Sequence, residues 1–373
     1  MLFRSVGRVI AKADGSKFYF IGSGASGIQS LDSTFTTFSS VNGLPSAANA
    51  VAITPDGRYL LIGSSDLYVV DTVSNAILGT GLGLSGTVQS IAVSADSSTA
   101  YVLNNLPATS SVVTINLATR SRVGNPLPLP FGGATALAIS PTGLLYVSAQ
   151  NAVYEIDPAT MQITTNGTIA LNFTPGQLRF VPDGSVAYAV NLGTLGGSII
   201  KITLASRAVS AWPPFNPNSP APIFDDVYVA AADRVFAFSS ANTAIYDVTT
   251  TTLAASTSAL TAVLGNVPVL AMAISNEIPT ARYLYALTTG NTLNRITLSN
   301  NNLSATSPSV PAALSYAAAP PQSGATSFYQ INTTQTLAAN ATSAPLIARL
   351  LDGTGRPVYN QTVNFTEIGR AHV

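Results

Sequence analysis

The feature that most narrows what this chain can fold into is a recurring unit, plainest over residues 51–79, VAITPDGRYLLIGSSDLYVVDTVSNAILG. An apolar run, a Pro-Asp-Gly turn, a second apolar run, an alternating run ending in Asp and a last short run follow one another. Pro55 removes a backbone donor and Gly57 supplies a positive-φ position, so Pro55-Asp56-Gly57 closes a turn between residues 51–54 and 59–62. The arms are too short for helices, and residues 67–71 are Leu, Tyr and Val before Asp71. The unit therefore reads as four short strands.

The same order recurs along the chain. A first copy spans 9–38, with Ala13-Asp14-Gly15 as its turn and later runs at 18–21, 28–32 and 35–38. A third has runs at 91–94, 100–103 and 112–116 around Asp96. A fourth has runs at 137–140, 145–148 and 153–157 around Pro141-Thr142-Gly143, and a fifth at 178–181, 186–190 and 199–203 around Pro182-Asp183-Gly184. Two worn copies follow, at 227–231, 235–238 and 244–247, then at 272–275, 283–287 and 293–297. Turn markers at 14, 56, 96, 142 and 183 recur about every 40 to 45 residues, the length of a four-stranded blade.

A large side chain stands at one place in each second run: Tyr19, Leu61, Tyr101, Tyr146, Tyr188, Phe236 and Tyr285. Aromatic rings lining a channel are one reading. Recurrence in nearly every copy favours the other, packing between neighbouring blades.

ITPDGRYLLIG, VSADSSTAYVLN, ISPTGLLYVSA and FVPDGSVAYAVN resemble the YVTN-type β-propeller repeat. The resemblance implies an all-β fold, a seven-bladed β-propeller of four-stranded antiparallel blades over residues 1–307, whose ring leaves only short edges. That family spans binding, structural and some enzymatic roles, so the fold names no function. Residues 308–324, rich in Pro, Ala and Ser, read as a linker. Beyond it, LIARLLDGTGRPV at 346–358 and VNF at 363–365 resemble the bacterial immunoglobulin-like domain of invasin and intimin adhesins. A sandwich of that kind needs about 100 residues, so 325–366 is expected to be a truncated Ig-like segment. The final 367–373, EIGRAHV, looks like a translated sequencing adapter and is expected to be a non-native tail.

Charge and composition exclude several classes. Sixteen basic and sixteen acidic side chains give zero net charge, and only 9% of residues are charged. There is no electrostatic footprint for nucleic acid or an anionic membrane. Cysteine is absent and the single histidine, His372, sits in the suspect tail. Serine triads, Cys-His pairs and Cys- or His-based metal sites are therefore out of reach. No stretch is apolar enough to span a bilayer, and the N-terminus lacks an export-signal core. An extracellular or cell-surface location is expected, with any signal peptide upstream of Met1.

The remaining candidates are carboxylates and loops. Asp14, Asp56, Asp96 and Asp183 mark first turns, and Asp32, Asp71, Asp157 and Asp247 end third runs. They read as turn caps, or as a ring of acids for Ca²⁺ or a cationic ligand; the repetition of the turn favours caps. Asp225-Asp226 falls outside the period and offers either a cation site or a solvated pair. Glu155 and Lys201, mid-strand, are expected to face solvent. The glycines of 22–27 and 79–83 suggest a phosphate loop only superficially, since no helix follows. The Asn-x-Thr triplets at Asn166, Asn172 and Asn332 are expected by chance, and Trp212 and Phe215 beside the proline-rich 213–222 cap a sheet or form a recognition edge.

No catalytic, cofactor-binding or metal residue is assigned, and no cofactor is implied. The expected function is non-enzymatic: an exported multidomain protein whose propeller recognises a protein or carbohydrate ligand, with Ig-like stalk modules, in surface adhesion. The alternatives are a lactonase-like propeller hydrolase with carboxylates at the channel mouth, and an intracellular scaffold.

Overall fold

In a computed structural model, the structure describes residues 48–192 continuously, and 8–11, 17–21, 28–32, 38–44, 198–212, 224–231, 233–239, 244–248, 260, 263–274, 283–288, 292–299, 301–309, 325–330, 348–352 and 357–358. These form antiparallel sheets whose strands pair in sequence order. The first sheet is β1 (Arg8–Ala11), β2 (Lys17–Ile21), β3 (Ile28–Asp32) and β4 (Phe38–Val41). The second is β5 (Ala50–Ile53), β6 (Tyr59–Gly63), β7 (Leu67–Asp71) and β8 (Ala76–Ile77). The third is β9 (Thr87–Val93), β10 (Thr99–Asn105), β11 (Ser110–Asn116) and β12 (Ser121–Pro128). The fourth is β13 (Ala136–Ile139), β14 (Leu145–Ala149), β15 (Ala152–Asp157) and β16 (Gln162–Ala170).

The fifth sheet is β17 (Arg179–Phe180), β18 (Val186–Val190), β19 (Ile199–Thr203) and β20 (Ala208–Trp212). The sixth has three strands, β21 (Asp226–Ala231), β22 (Arg234–Ser239) and β23 (Ala244–Asp247). The seventh is β24 (Val269–Ile274), β25 (Tyr283–Thr288), β26 (Thr292–Thr297) and β27 (Asn302–Ser309). A separate three-stranded sheet joins β28 (Ala325–Gln330), β29 (Ala348–Asp352) and β30 (Pro357–Val358).

Contacts link β1 to β5, β5 to β9, β9 to β13, β17 to β21 and β21 to β24, so first strands lie innermost and fourth strands outermost. This is a β-propeller. The expectation of seven four-stranded blades is corrected to six among the described residues. The sixth sheet supplies only three strands, and 249–259, which follow it, lie outside the description.

Strand alternation explains how one sheet serves two neighbours. Successive side chains of a strand leave opposite faces. Leu60 packs with Tyr19, Ile28 and Val41 of the first sheet, while Leu61 packs with Val88, Ala100 and Val102 of the third. Both leucines are fully buried, each worth about 1.5–3 kcal/mol of transfer free energy. The large residues of the second strands from Tyr19 to Phe236 lie in such layers, and Tyr285 of the seventh sheet is fully buried. Tyr101 joins the fourth sheet, Tyr146 the fifth, Tyr188 the sixth and Phe236 the seventh. They fill the space between sheets, as packing required.

Several boundaries differ from expectation, as where β9 starts at Thr87 rather than 91, and two have a nameable cause. The first sheet's outer strand is Phe38–Val41 rather than 35–38, because pairing Val41 with Ile28 buries Val41 to 1% exposure and a register shift would expel it. The seventh sheet's outer strand continues through Pro308 to Ser309, at an edge where no ladder donor is required of the proline.

Candidate functional site

The turn acids bond to their own turns. Thr54 Oγ1 donates to Asp56 Oδ1 at 2.5 Å, Arg58 N–H donates to the same oxygen at 2.9 Å, and Thr54 Oγ1 accepts from Tyr59 N–H at 3.0 Å. Ser94 and Asp96 repeat this at 2.5 Å, 3.0 Å from Ser98 N–H and 3.0 Å to Thr99 N–H. Asp183 accepts from Ser185 N–H and Oγ at 2.9 and 2.7 Å. The fourth residue of each turn takes positive φ: Gly57 at 68°, Ser97 at 61°, Gly143 at 91° and Gly184 at 73°. Burial pushes the Asp96 carboxyl up, but bonds from Ser94 and Ser98 outweigh it and hold it below its ordinary value.

The acids ending third strands act alike. Asp71 Oδ1 accepts from Val73 N–H, Ser74 N–H and Ser74 Oγ at 3.0, 2.8 and 2.9 Å, and the Ser74 amide foremost lowers its pKa. Asp157 accepts from Ala159 N–H at 2.9 Å and Thr160 Oγ1 at 3.1 Å. Asp247 lies 3.7 Å from Arg234 Nε.

Asp226, half of the pair outside the period, is bound by Arg179 of the neighbouring inner strand at 3.0 Å, with that guanidinium 5.2 Å above the Tyr228 ring. Other side chains join first strands across the rim. Ser90 Oγ and Gln177 Nε2 both donate to Leu137 O, at 3.2 and 3.0 Å. Among the described residues no three His, Cys, Asp or Glu side chains could share a metal ion.

Glu155 departs from expectation. It is not solvated but 12% exposed, held by Tyr146 Oη at 2.7 Å, Thr164 Oγ1 at 2.6 Å and Arg207 Nη2 at 3.2 Å. Burial pushes its carboxyl up, and the bonds from Thr164, Tyr146 and Arg207 outweigh it and lower it below the ordinary value. The Tyr146 phenol is raised, by burial first and by Glu155 second. Lys201 is half-buried opposite Tyr188 and Ser210.

Arg207 belongs to the next sheet, and its place recurs. The turn between third and fourth strands holds a residue at left-handed φ, four positions past the strand end: Asn75 at 56°, Arg120 at 53°, Met161 at 51°, Arg207 at 57° and Asn301 at 55°. Four of these bond to the preceding sheet, Met161 through Thr114 Oγ1, which donates to its Sδ at 3.5 Å. Tyr19 Oη lies 3.1 Å from Thr72 O and 3.0 Å from Asn75 Oδ1, Lys17 Nζ donates to Thr72 O at 2.7 Å, and Asn75 Nδ2 donates to Ser30 Oγ at 3.0 Å. Arg234 reaches Leu298 O and Asn301 Oδ1, the latter at 2.9 Å. The missed signal was this fixed offset after each third run.

The 79–83 glycine loop is already occupied by an anion of the chain itself. Asp66 accepts from Leu67, Gly83 and Leu84 N–H at 2.7, 2.8 and 2.8 Å. A Cβ at Gly81 would stand 2.2 Å from Asp66 Oδ2, so only glycine permits this approach. Asn166 and Asn172 are exposed. Asp14, the 22–27 loop, Asn332, the Trp212 side chain, 213–222 with Phe215, and the 367–373 tail lie outside the described residues.

No protein-family model matches the chain, and no curated protein does. Among solved structures it is similar to Kuenenia stuttgartiensis hydrazine synthase, with a TM-score of 0.53 and 16% identity over 84% of this chain and 89% of that one. Matching structures number 1516, so a likeness this broad carries the fold and no activity. The chain is a β-propeller by architecture, with its acids bound into turns and latches.

Proposed function

We propose that the chain is a non-enzymatic recognition module: a propeller of YVTN type, exported and displayed at the cell surface, followed by the start of an Ig-like stalk. The observation that carries this reading is the fate of the carboxylates. Asp56, Asp66, Asp71, Asp96, Asp157 and Asp183 bond to nearby backbone amides, and Glu155 and Asp226 to guanidinium groups of a neighbouring sheet. A hydrolase of the propeller lactonase kind needs acids converging on a metal. β28–β30 would be the first strands of the stalk.

The test is a pH-stat assay of the purified protein against γ-butyrolactone and a long-chain acyl lactone, with Ca²⁺ and again with EDTA. No turnover is expected in either condition. A Ca²⁺-dependent rate above buffer would overturn the reading.

A further inference from the structure

The second sheet differs from its neighbours at its outer edge. Its fourth strand, β8, has two residues, whereas β12, β16, β20 and β27 have 8, 9, 5 and 8. The cause is Asp66, which draws Gly83 and Leu84 inward, while Leu82 N–H donates to Leu67 O and ends the ladder. What remains between β4 and β8 is an open groove of about 720 Å³.

Its lining is uncharged. Ser40, Asn42, Tyr68, Asn75 and Thr80 supply the polar atoms, and glycines and Ile77 supply much of the rest. Tyr68 is half-buried against the apolar layer between the first two sheets. The Tyr68, Ser40, Asn42 and Thr80 side chains hydrogen-bond to no described residue, whereas Asn75 is fixed by Tyr19, Lys17 and Ser30. A rigid floor with free hydroxyls and an amide lowers the ordering cost of binding.

We propose that this groove binds a neutral saccharide. A sugar offers apolar C–H surface to an aromatic ring and hydroxyls to side-chain amides and hydroxyls, and the groove presents both without a charge that would demand an ionic partner. The assignment rests on the recognition reading and gives it a site and a ligand class.

Cellohexaose, maltohexaose and chitohexaose are titrated into the intact protein by saturation-transfer NMR and calorimetry, with heparin hexasaccharide as the anionic probe. At least one neutral hexasaccharide is expected to bind. Ala76→Trp, which fills the groove from an exposed position, is expected to weaken it about tenfold or more. Tyr68→Phe and Asn42→Ala are each expected to weaken it about threefold, with unchanged melting temperatures. The proposal is overturned if no neutral hexasaccharide binds, if heparin binds tighter than all three, or if binding survives Ala76→Trp. Those outcomes leave the recognition reading standing, because that reading falls only to lactone turnover.

Discussion

The latch between the first and second sheets and the latch between the fourth and fifth occupy one place in the repeat and use different chemistry. At the first, a phenol and an ammonium bind a backbone carbonyl and a side-chain amide, Thr72 O and Asn75. At the second, a phenol and a guanidinium converge on a carboxylate, Glu155. Both put a residue of φ 56–57° at the tip. The repeat thus fixes a reach from one sheet to the next, and local sequence decides what is reached. A carbonyl latch keeps its donors and acceptor through the acid range, whereas an acid latch loses its charge as the acid is protonated.

The largest test removes the shared part. Tyr19 is fully buried and Tyr146 is 2% exposed. Tyr19→Ala and Tyr146→Ala are each expected to cost about 3–5 kcal/mol in urea unfolding, a cavity plus lost bonds. Values near zero at one interface would show that the two layers are not equivalent supports of the ring.

The next test separates the chemistries. Arg207→Ala leaves a carboxylate of 12% exposure with two neutral donors, and is expected to cost about 2–3 kcal/mol at neutral pH. The Glu155 carboxyl is held below its ordinary value of 4.5, so the latch is fully formed above that pH. Its contribution is lost as pH falls through the lower folded value. The gap between wild type and Arg207→Ala should therefore shrink in acid. Tyr19→Phe, at the carbonyl latch, is expected to cost about 0.5–1.5 kcal/mol at both pH values. Equal pH dependence of the two variants would break the comparison.

How much of this was legible follows from which interactions are local. The Pro-Asp-Gly turns and apolar runs lie within a few residues of one another, so the sheet at 50–77 and the first three strands of the sheet at 136–170 were readable almost to the residue, while the outer strand at 162–170 was not read. The second-strand fillers were readable too, because Tyr19, Tyr101 and Tyr188 each stand five residues past the turn acids Asp14, Asp96 and Asp183. Glu155 was not, since its partner Arg207 lies 52 residues on, in another sheet, and a mid-strand acid looks the same whether solvated or latched. The anchoring of the loop after β8 was hidden for a similar reason. Its cause, Asp66, lies 17 residues before the glycine it binds. The sixth sheet is described with three strands, and residues 249–259 after it lie outside the described residues.

The smallest effect probes whether the turn acids are interchangeable where the latches are not. Asp56 and Asp183 each take their turn amide at 2.9 Å, but of the two only the Asp56 turn hydrogen-bonds to its neighbour, through Asp56 N–H donating to Ser97 Oγ at 2.9 Å. That bond uses backbone, so Asp56→Ala should spare it. Both substitutions then remove one side-chain cap on a solvent-facing turn, each costing about 0.5–1.5 kcal/mol. Thermal unfolding of the two variants should agree within about 0.5 kcal/mol, as expected of independent sites. If Asp56→Ala costs twice as much as Asp183→Ala, the side chain is positioning the inter-sheet bond as well as the turn, and the first turns would join the latches as contacts that hold one sheet to the next.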